Sequence, residues 1–312
     1  MTIENHFNLI LNARVKLYKG SKHFSHLSES ALTAAITEEM KSLEELAMPD
    51  VALKRHEFFS VPHAAPEDYY ERVIEIEPSS GQYFIAGIRF RNLELNRPFI
   101  TIMPSFSELD EGLILKLSRK IKSEFKVFNP ESFHFTMPED VTCNAKALKI
   151  DRFTVVESIE NLDLSSANLK LTPLKSIEFY NEYVEEYEHL YRTSTHLRSE
   201  VRIEDLASLN EAGQLGLMYK LEIDGEVGGL IAGFIQNYYG QEAVCILEEI
   251  IFAKHRGKGL GVFLQKSFAK EMQPRFNVLW GQISELNKAS LKTAQRVGRK
   301  ITEVEYVHPL NL

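Results

Sequence analysis

Apolar residues recur along this chain at two spacings, every second residue and every third or fourth. The switches between them predict a mixed order of strands and helices. Ile36, Met40, Leu43 and Ala47 step at helical intervals behind Ser28 and Ser30, two residues suited to capping, so residues 28–48 predict a helix. Beyond Pro62 and Pro66, Tyr83–Phe90 alternates as a strand does, and Phe99–Met103 follows as a second strand stopped by Pro104. Leu113, Leu117, Ile121 and Phe125 at four-residue steps predict the next helix. A short apolar segment around Phe133 and Phe135, a turn at Pro138-Glu139-Asp140 and a strand over Arg152–Glu157 complete the first half. The polar stretch from Asn161 to Asn168 places a domain boundary near Ser165, giving domains of residues 1–165 and 166–312.

The second half opens with a short strand at Leu169–Leu171, and Pro173 predicts the start of a helix running to about Tyr191. Ile177, Tyr180, Val184, Tyr187 and Tyr191 form one stripe of that helix. Glu178, Glu182, Glu185, Glu186 and Glu188 crowd its other faces, as a solvated surface or as a patch that attracts a cationic acceptor. A short helix around Ile203–Glu211 precedes two strands, Gly216–Ile223 and Val227–Gln236, joined by Asp224-Gly225, a pair that readily takes the positive φ angles of a type I′ turn. Asn237-Tyr238-Tyr239-Gly240 turns the chain again into Ala243–Phe252, whose nearly continuous apolar run implies burial on both faces.

Length and composition narrow the picture. At 312 residues the chain exceeds one ordinary hydrophobic core, and 44% hydrophobic with 26% charged residues suits a globular protein. The formal charge of −8, with no long basic run, argues against a nucleic-acid partner. Cys143 and Cys245 are too few for a disulfide framework or a cysteine zinc site, and the ten His show no ligand-like spacing with them, so no metal is expected. No stretch approaches about 18 consecutive apolar residues and no leader pattern opens the chain, so a cytoplasmic protein without a membrane partner is expected.

The chemistry concentrates after the buried strand, at Arg256-Gly257-Lys258-Gly259-Leu260-Gly261. Glycines without a Cβ let backbone N–H groups converge on phosphate oxygens at a helix start, where the dipole also favours negative charge; Arg256 and Lys258 add positive charge. Leu260, Phe263, Leu264, Phe268 and Met272 give the following helix one apolar face. The spacing fits neither Gly-x-x-x-x-Gly-Lys-Ser/Thr nor Gly-x-Gly-x-x-Gly, which excludes a P-loop and a dinucleotide fingerprint.

Arg256-x-x-Gly259-x-Gly261, after a buried strand and before an amphipathic helix, resembles motif A of the GNAT superfamily of acyl-CoA-dependent N-acyltransferases. Phe276–Ile283 resembles that family's next strand, Asn287 to Gly298 its next helix, and Ile301–Val307 its last strand, so the resemblance covers about Leu169–Leu312. It implies an α/β (α+β) fold with a mixed, mainly antiparallel central sheet flanked by helices. The first half, with its strand, strand, helix and strand, resembles a worn copy of the same plan, in a tandem arrangement. Acidic Glu108 and Asp110 stand there where phosphate would sit, which argues against a second CoA site.

The resemblance further implies acetyl-CoA as co-substrate, its pantetheine arm paired to the backbone of Ile250, Ile251 and Phe252, its pyrophosphate on Arg256 to Gly261, and Asn287 beside the arm. Asn also caps helices, and both roles stand open for Asn287. Glu248 and Glu249 are candidate bases toward a small-molecule or peptide amine acceptor; adjacent on a strand, they point to opposite faces, so one at most faces the acceptor. A paired carboxylate in the core is the competing role for either. The family often has a Tyr seven residues after the Asn as general acid; here that position is Ala294, and Tyr238, Tyr239, Tyr306 and His255 are substitutes by residue type alone. Two other functions stay open: a CoA-binding sensor or scaffold without chemistry, and a tandem aminoacyl or peptidyl transferase fed by charged tRNA. A homodimer is also open.

Overall fold

The computed structural model describes residues 6–143, 145–167 and 169–310, and the chain divides into two compact units, Met1–Asp151 with Glu303–Leu312, and Arg152–Thr302. The break therefore falls at Asp151/Arg152 instead of near Ser165, and the last residues return to the first unit. Apolar patterning identifies strands but says nothing of which neighbour each one pairs with, and two strands here carry the chain from one unit into the other.

The first unit begins with three helices, α1 (Phe7–Gly20), α2 (Glu29–Leu46) and α3 (Pro49–Phe59). Ser28 caps α2 as its sequence predicts, its hydroxyl accepting from the Ala31 N–H at 3.1 Å. Strands β1 (Arg72–Glu75), β2 (Tyr83–Phe90) and β3 (Pro98–Pro104) follow, then α4 (Glu111–Glu124) and β4 (Ser132–Pro138). β1, β2 and β3 pair antiparallel. β4 lies parallel to β3 for three residue pairs, ending at Thr101 and His134. The terminal strand β11 (Lys300–Pro309) closes the order, with Glu303–Pro309 antiparallel to β4. Phe84, Ile88, Ile100 and Phe133 join Ile114, Leu117 and Ile121 of α4 in one apolar core.

The second unit repeats that plan. β5 (Lys149–Ser158) supplies Arg152–Ser158 to its sheet, and β6 (Leu171–Pro173), α5 (Tyr180–Thr193) and α6 (Leu206–Gln214) lead to a meander of β7 (Met218–Ile223), β8 (Glu226–Ile235) and β9 (Ala243–Ile251). Then come α7 (Leu260–Met272), β10 (Val278–Ser284) and α8 (Lys288–Val297). Its strand order is β6-β7-β8-β9-β10-β5, every pair antiparallel except β9 with β10. Asp224 and Gly225 sit at φ 53° and 82°, the two positive angles of the predicted hairpin.

The helix expected from Pro173 begins seven residues later. Pro173 pairs with Tyr219 in β6, and residues 174–179 pack in extended and turn conformation against α6, where Asn210 accepts from the Ile177 N–H at 3.1 Å. Gly213 of α6 has no room for a side chain, since a Cβ would stand 2.6 Å from the Lys175 carbonyl oxygen. No helix among the described residues is long and apolar enough to cross a membrane.

Candidate functional site

β9 and β10 run parallel only at their starts, from Val278 opposite Ala243 to Trp280 opposite Cys245, and then part. β9 meanwhile stays paired to β8 up to Ile251, with a bulge at Leu247 where its register with β8 shifts between Ala232 and Gly233. A wedge opens between two parallel strands, and the chain leaves β9 at that wedge to enter Arg256 to Gly261.

Gly257 and Gly259 take φ 77° and 75°, left-handed values that a Cβ disfavours, and a Cβ built on either meets nothing within 4 Å. Gly259 is the N-cap of α7 and no side chain caps that helix. Gly257, Lys258 and Gly259 are exposed. An exposed helix start without a capping side chain is suited to an anion. Gly261 has a different reason to be glycine: a Cβ would stand 3.2 Å from Thr293 Cγ2 of α8 and 3.3 Å from Glu249 Oε1. These residues fit a pyrophosphate-bearing co-substrate.

Arg256 departs from its expected part. Its Nε donates to the Ile251 carbonyl at 2.7 Å and an Nη lies 3.3 Å from the Glu186 carboxylate, which also accepts from the Ala253 N–H at 2.7 Å. Arg256 thus fastens the turn to β9 and α5, and Lys258 is the turn's outward-facing cation. Ile251 and Phe252 are also engaged, Ile251 through that carbonyl and Phe252 through its N–H to Gly228 at 2.9 Å; Ile250 pairs with Leu230 of β8. Asn287 caps α8, its Oδ1 accepting from the Ser290 N–H at 3.2 Å, which is the capping role of the two left open.

Glu248 and Glu249 do point to opposite faces. Glu248 is 4% exposed and accepts from two phenols of α5, Tyr187 at 2.7 Å and Tyr183 by a shorter bond. The Tyr183 hydroxyl accepts in turn from the Glu204 N–H at 3.0 Å. Burial pushes the Glu248 carboxyl up to about 7, against the lowering effect of the two phenols. Burial, reinforced by the Glu248 charge, raises Tyr183 and Tyr187 well above the ordinary phenol range, so both remain donors.

Glu249 lies under α7, accepts from Gln265 Nε2 at 2.6 Å, and is likewise raised to about 7 by burial. Gln265 Oε1 accepts from Arg299, a buried guanidinium that also donates to the Val155 carbonyl. This chain of carboxylate, amide and guanidinium is a structural tie between β9, α7 and the start of β11. Both carboxylates are thus buried, raised and hydrogen-bonded, Glu248 to the phenols of α5 and Glu249 to the amide of α7.

Sequence reasoning missed the roles of Tyr187 and Glu186, which it read as stripe and surface, and did not single out Tyr183. Their signal was a spacing of three and four residues that puts two phenols and a carboxylate on the turn of α5 facing β9. Ala294 is fully buried. Among the substitutes, Tyr238 shares a hydrogen bond with Thr302 Oγ1 at 2.8 Å, and Tyr306 belongs to the first unit. His255, 6% exposed and immediately before the turn, has a buried Nε2 without a hydrogen-bond partner. In the first unit, His134, Asp151 and Glu305 bring potential metal-ligating atoms within 4.8 Å of one another, a grouping assembled from three strands. Arg91 holds both oxygens of Asp151 at 2.9 Å and so offsets part of that charge.

No family model matches the chain, and no curated protein matches it. Among solved structures, an acetyltransferase from the GNAT family of Colwellia psychrerythraea is similar over 83% of this chain and 96% of its own, at 9% identity and a TM-score of 0.47. A GCN5-related N-acetyltransferase from Sphaerobacter thermophilus is similar over 84% and 94%, at 12% identity and TM-score 0.44. A tandem GNAT protein from the clavulanic acid biosynthesis pathway is similar over 84% and 96%, at 12% identity and TM-score 0.44. The chain itself is a mixed α/β protein of two units, with the parting of β9 from β10 and the glycine turn between β9 and α7 in the second.

Proposed function

We propose that the second unit binds acetyl-CoA and transfers its acetyl group to a primary amine of a small molecule or peptide. The observation that carries this reading is the exposed turn Gly257 to Gly259, without a capping side chain, at the mouth of the wedge between β9 and β10. Transfer needs the acceptor nitrogen to lose a proton, attack the thioester carbon and expel the thiolate. Glu248, raised to about 7, accepts a proton near neutrality once one of its phenol bonds gives way to the amine or a bridging water. The helix start and Lys258 offset the phosphate charge. The thiolate takes its proton from solvent or from a nearby donor such as His255.

Mass-spectrometric detection of acetylation over a panel of amines tests the proposal. Turnover should rise with pH through about 7 as Glu248 ionises, and Glu248→Gln should lower kcat by about 10²-fold or more. CoA binding with no acetylation of any amine would leave the second reading, a CoA-binding sensor. That reading draws on the two phenols that occupy both Glu248 oxygens and on buried Ala294. A tRNA-fed transferase would show no protection by acetyl-CoA in a thermal melt.

A further inference from the structure

The two faces of the first unit's sheet differ in kind. One is the apolar core with α4. Side chains alternate along strands, so the other face carries Arg89 of β2, Thr101 of β3, His134 and Thr136 of β4 and Glu305 of β11. These residues line a cavity of about 230 Å³ together with Arg14 of α1, Glu39 of α2 and Glu71. The cavity sits where β3 and β4 part beyond Thr101 and His134.

Two of its charged walls are almost wholly buried, Arg14 at 3% and Glu71 at 4% exposure, as is the imidazole of His134 at 2%. Burying ionised groups is costly, and apolar residues of similar volume would serve stability as well or better, so a void with charged walls calls for another reason. The groups are also held in place. Arg14 donates to the Tyr18 hydroxyl at 3.0 Å and to the Thr136 carbonyl at 3.2 Å; His134 is 3.1 Å from Glu305 and 3.0 Å from the Ser132 hydroxyl; Glu71 is paired with Arg89 and lies 3.6 Å from Arg55. Such anchoring is the preorganisation a polar ligand site requires.

We infer that this cavity binds a free α-amino acid. Its volume is that of about eight waters at roughly 30 Å³ each, room enough for a free amino acid. The guanidinium groups of Arg14 and Arg89 suit a carboxylate, the carboxylates of Glu39 and Glu305 suit an ammonium, and Leu43, Ile85 and Met103 give apolar wall to a side chain. Both signs of charge line one void, which matches a zwitterion better than an anion or a cation alone.

Titration calorimetry of the full chain against the common L-amino acids, with acetate and methylammonium as half-ligands, tests this. Saturable one-to-one binding of at least one amino acid is expected, with each half-ligand weaker by about 10-fold or more. Arg89→Met, which removes a charge, and Thr101→Leu, which fills the cavity and leaves every charge in place, should each lower the affinity by about 10-fold. Thr101→Leu carries the test alone if Arg89→Met does not fold. No saturable binding up to about 10 mM, a half-ligand binding as tightly as the amino acid, or undiminished binding by folded Thr101→Leu would overturn the assignment.

Discussion

Gly259 holds a φ of 75° with open space around it, so any side chain there pays only in backbone conformation. Gly259→Ala is expected to destabilise the protein by about 1–2 kcal/mol, measured by urea denaturation, and to weaken CoA binding beyond that, because the helix start would tilt. Undiminished CoA affinity would detach the turn from the site. Glu248 makes a prediction of opposite character. Its folded-state carboxyl is raised to about 7 from an unfolded value near 4.5, so its favourable contribution is complete below about 4.5 and disappears as pH climbs through about 7. Between pH 5 and pH 8 the protein should lose up to about 3 kcal/mol through this group, and Glu248→Gln should flatten that slope. Glu249, raised in the same direction, keeps the variant from becoming flat. Equal slopes in the two proteins would show that Glu248 does not titrate there. The turn was legible in sequence because glycine spacing is local. Arg256 and Glu186 were not, since what decides their role is a partner about 70 residues away.

Elements were recognised where one face is cleanly apolar. α7, α4 and the β7–β8 hairpin lie close to where their spacing predicts them. α1 and α3 escaped notice for different reasons. α1 buries Arg14 and Tyr18 beside Ile10, Leu11 and Val15, which breaks the apolar stripe, and α3 buries only Ala52. α8 shows an element whose start depends on one side chain: Asn287→Ala removes the bond to the Ser290 N–H and is expected to cost about 1 kcal/mol in thermal or urea unfolding. If Asn287 serves only as a cap, Asn287→Asp should restore stability and CoA binding together. Restored stability with CoA binding still weakened would return the residue to the pantetheine site.

For the whole chain, strand patterning located β5 and β11 but could not say which sheet each one joins. The second unit's β10 finds its outer partner in β5, from Val278 opposite Ser158 to Ser284 opposite Arg152. A fragment cut at the boundary the sequence suggests, residues 166–312, lacks that strand altogether. It would expose the hydrogen-bonding edge of β10 and lose Val155, Ile159 and Leu162, apolar residues that are buried in the intact chain. It would also leave Arg299 without the Val155 carbonyl. Residues 149–302 keep all of these contacts and omit the first unit except for residues 149–151. Expressed separately, 149–302 should unfold cooperatively on heating, whereas 166–312 should aggregate or melt without a cooperative transition, followed by circular dichroism and light scattering. A fragment 166–312 that melts as sharply and at the same temperature as 149–302 would mean that β5 is dispensable, and that the second unit ends its sheet at β10.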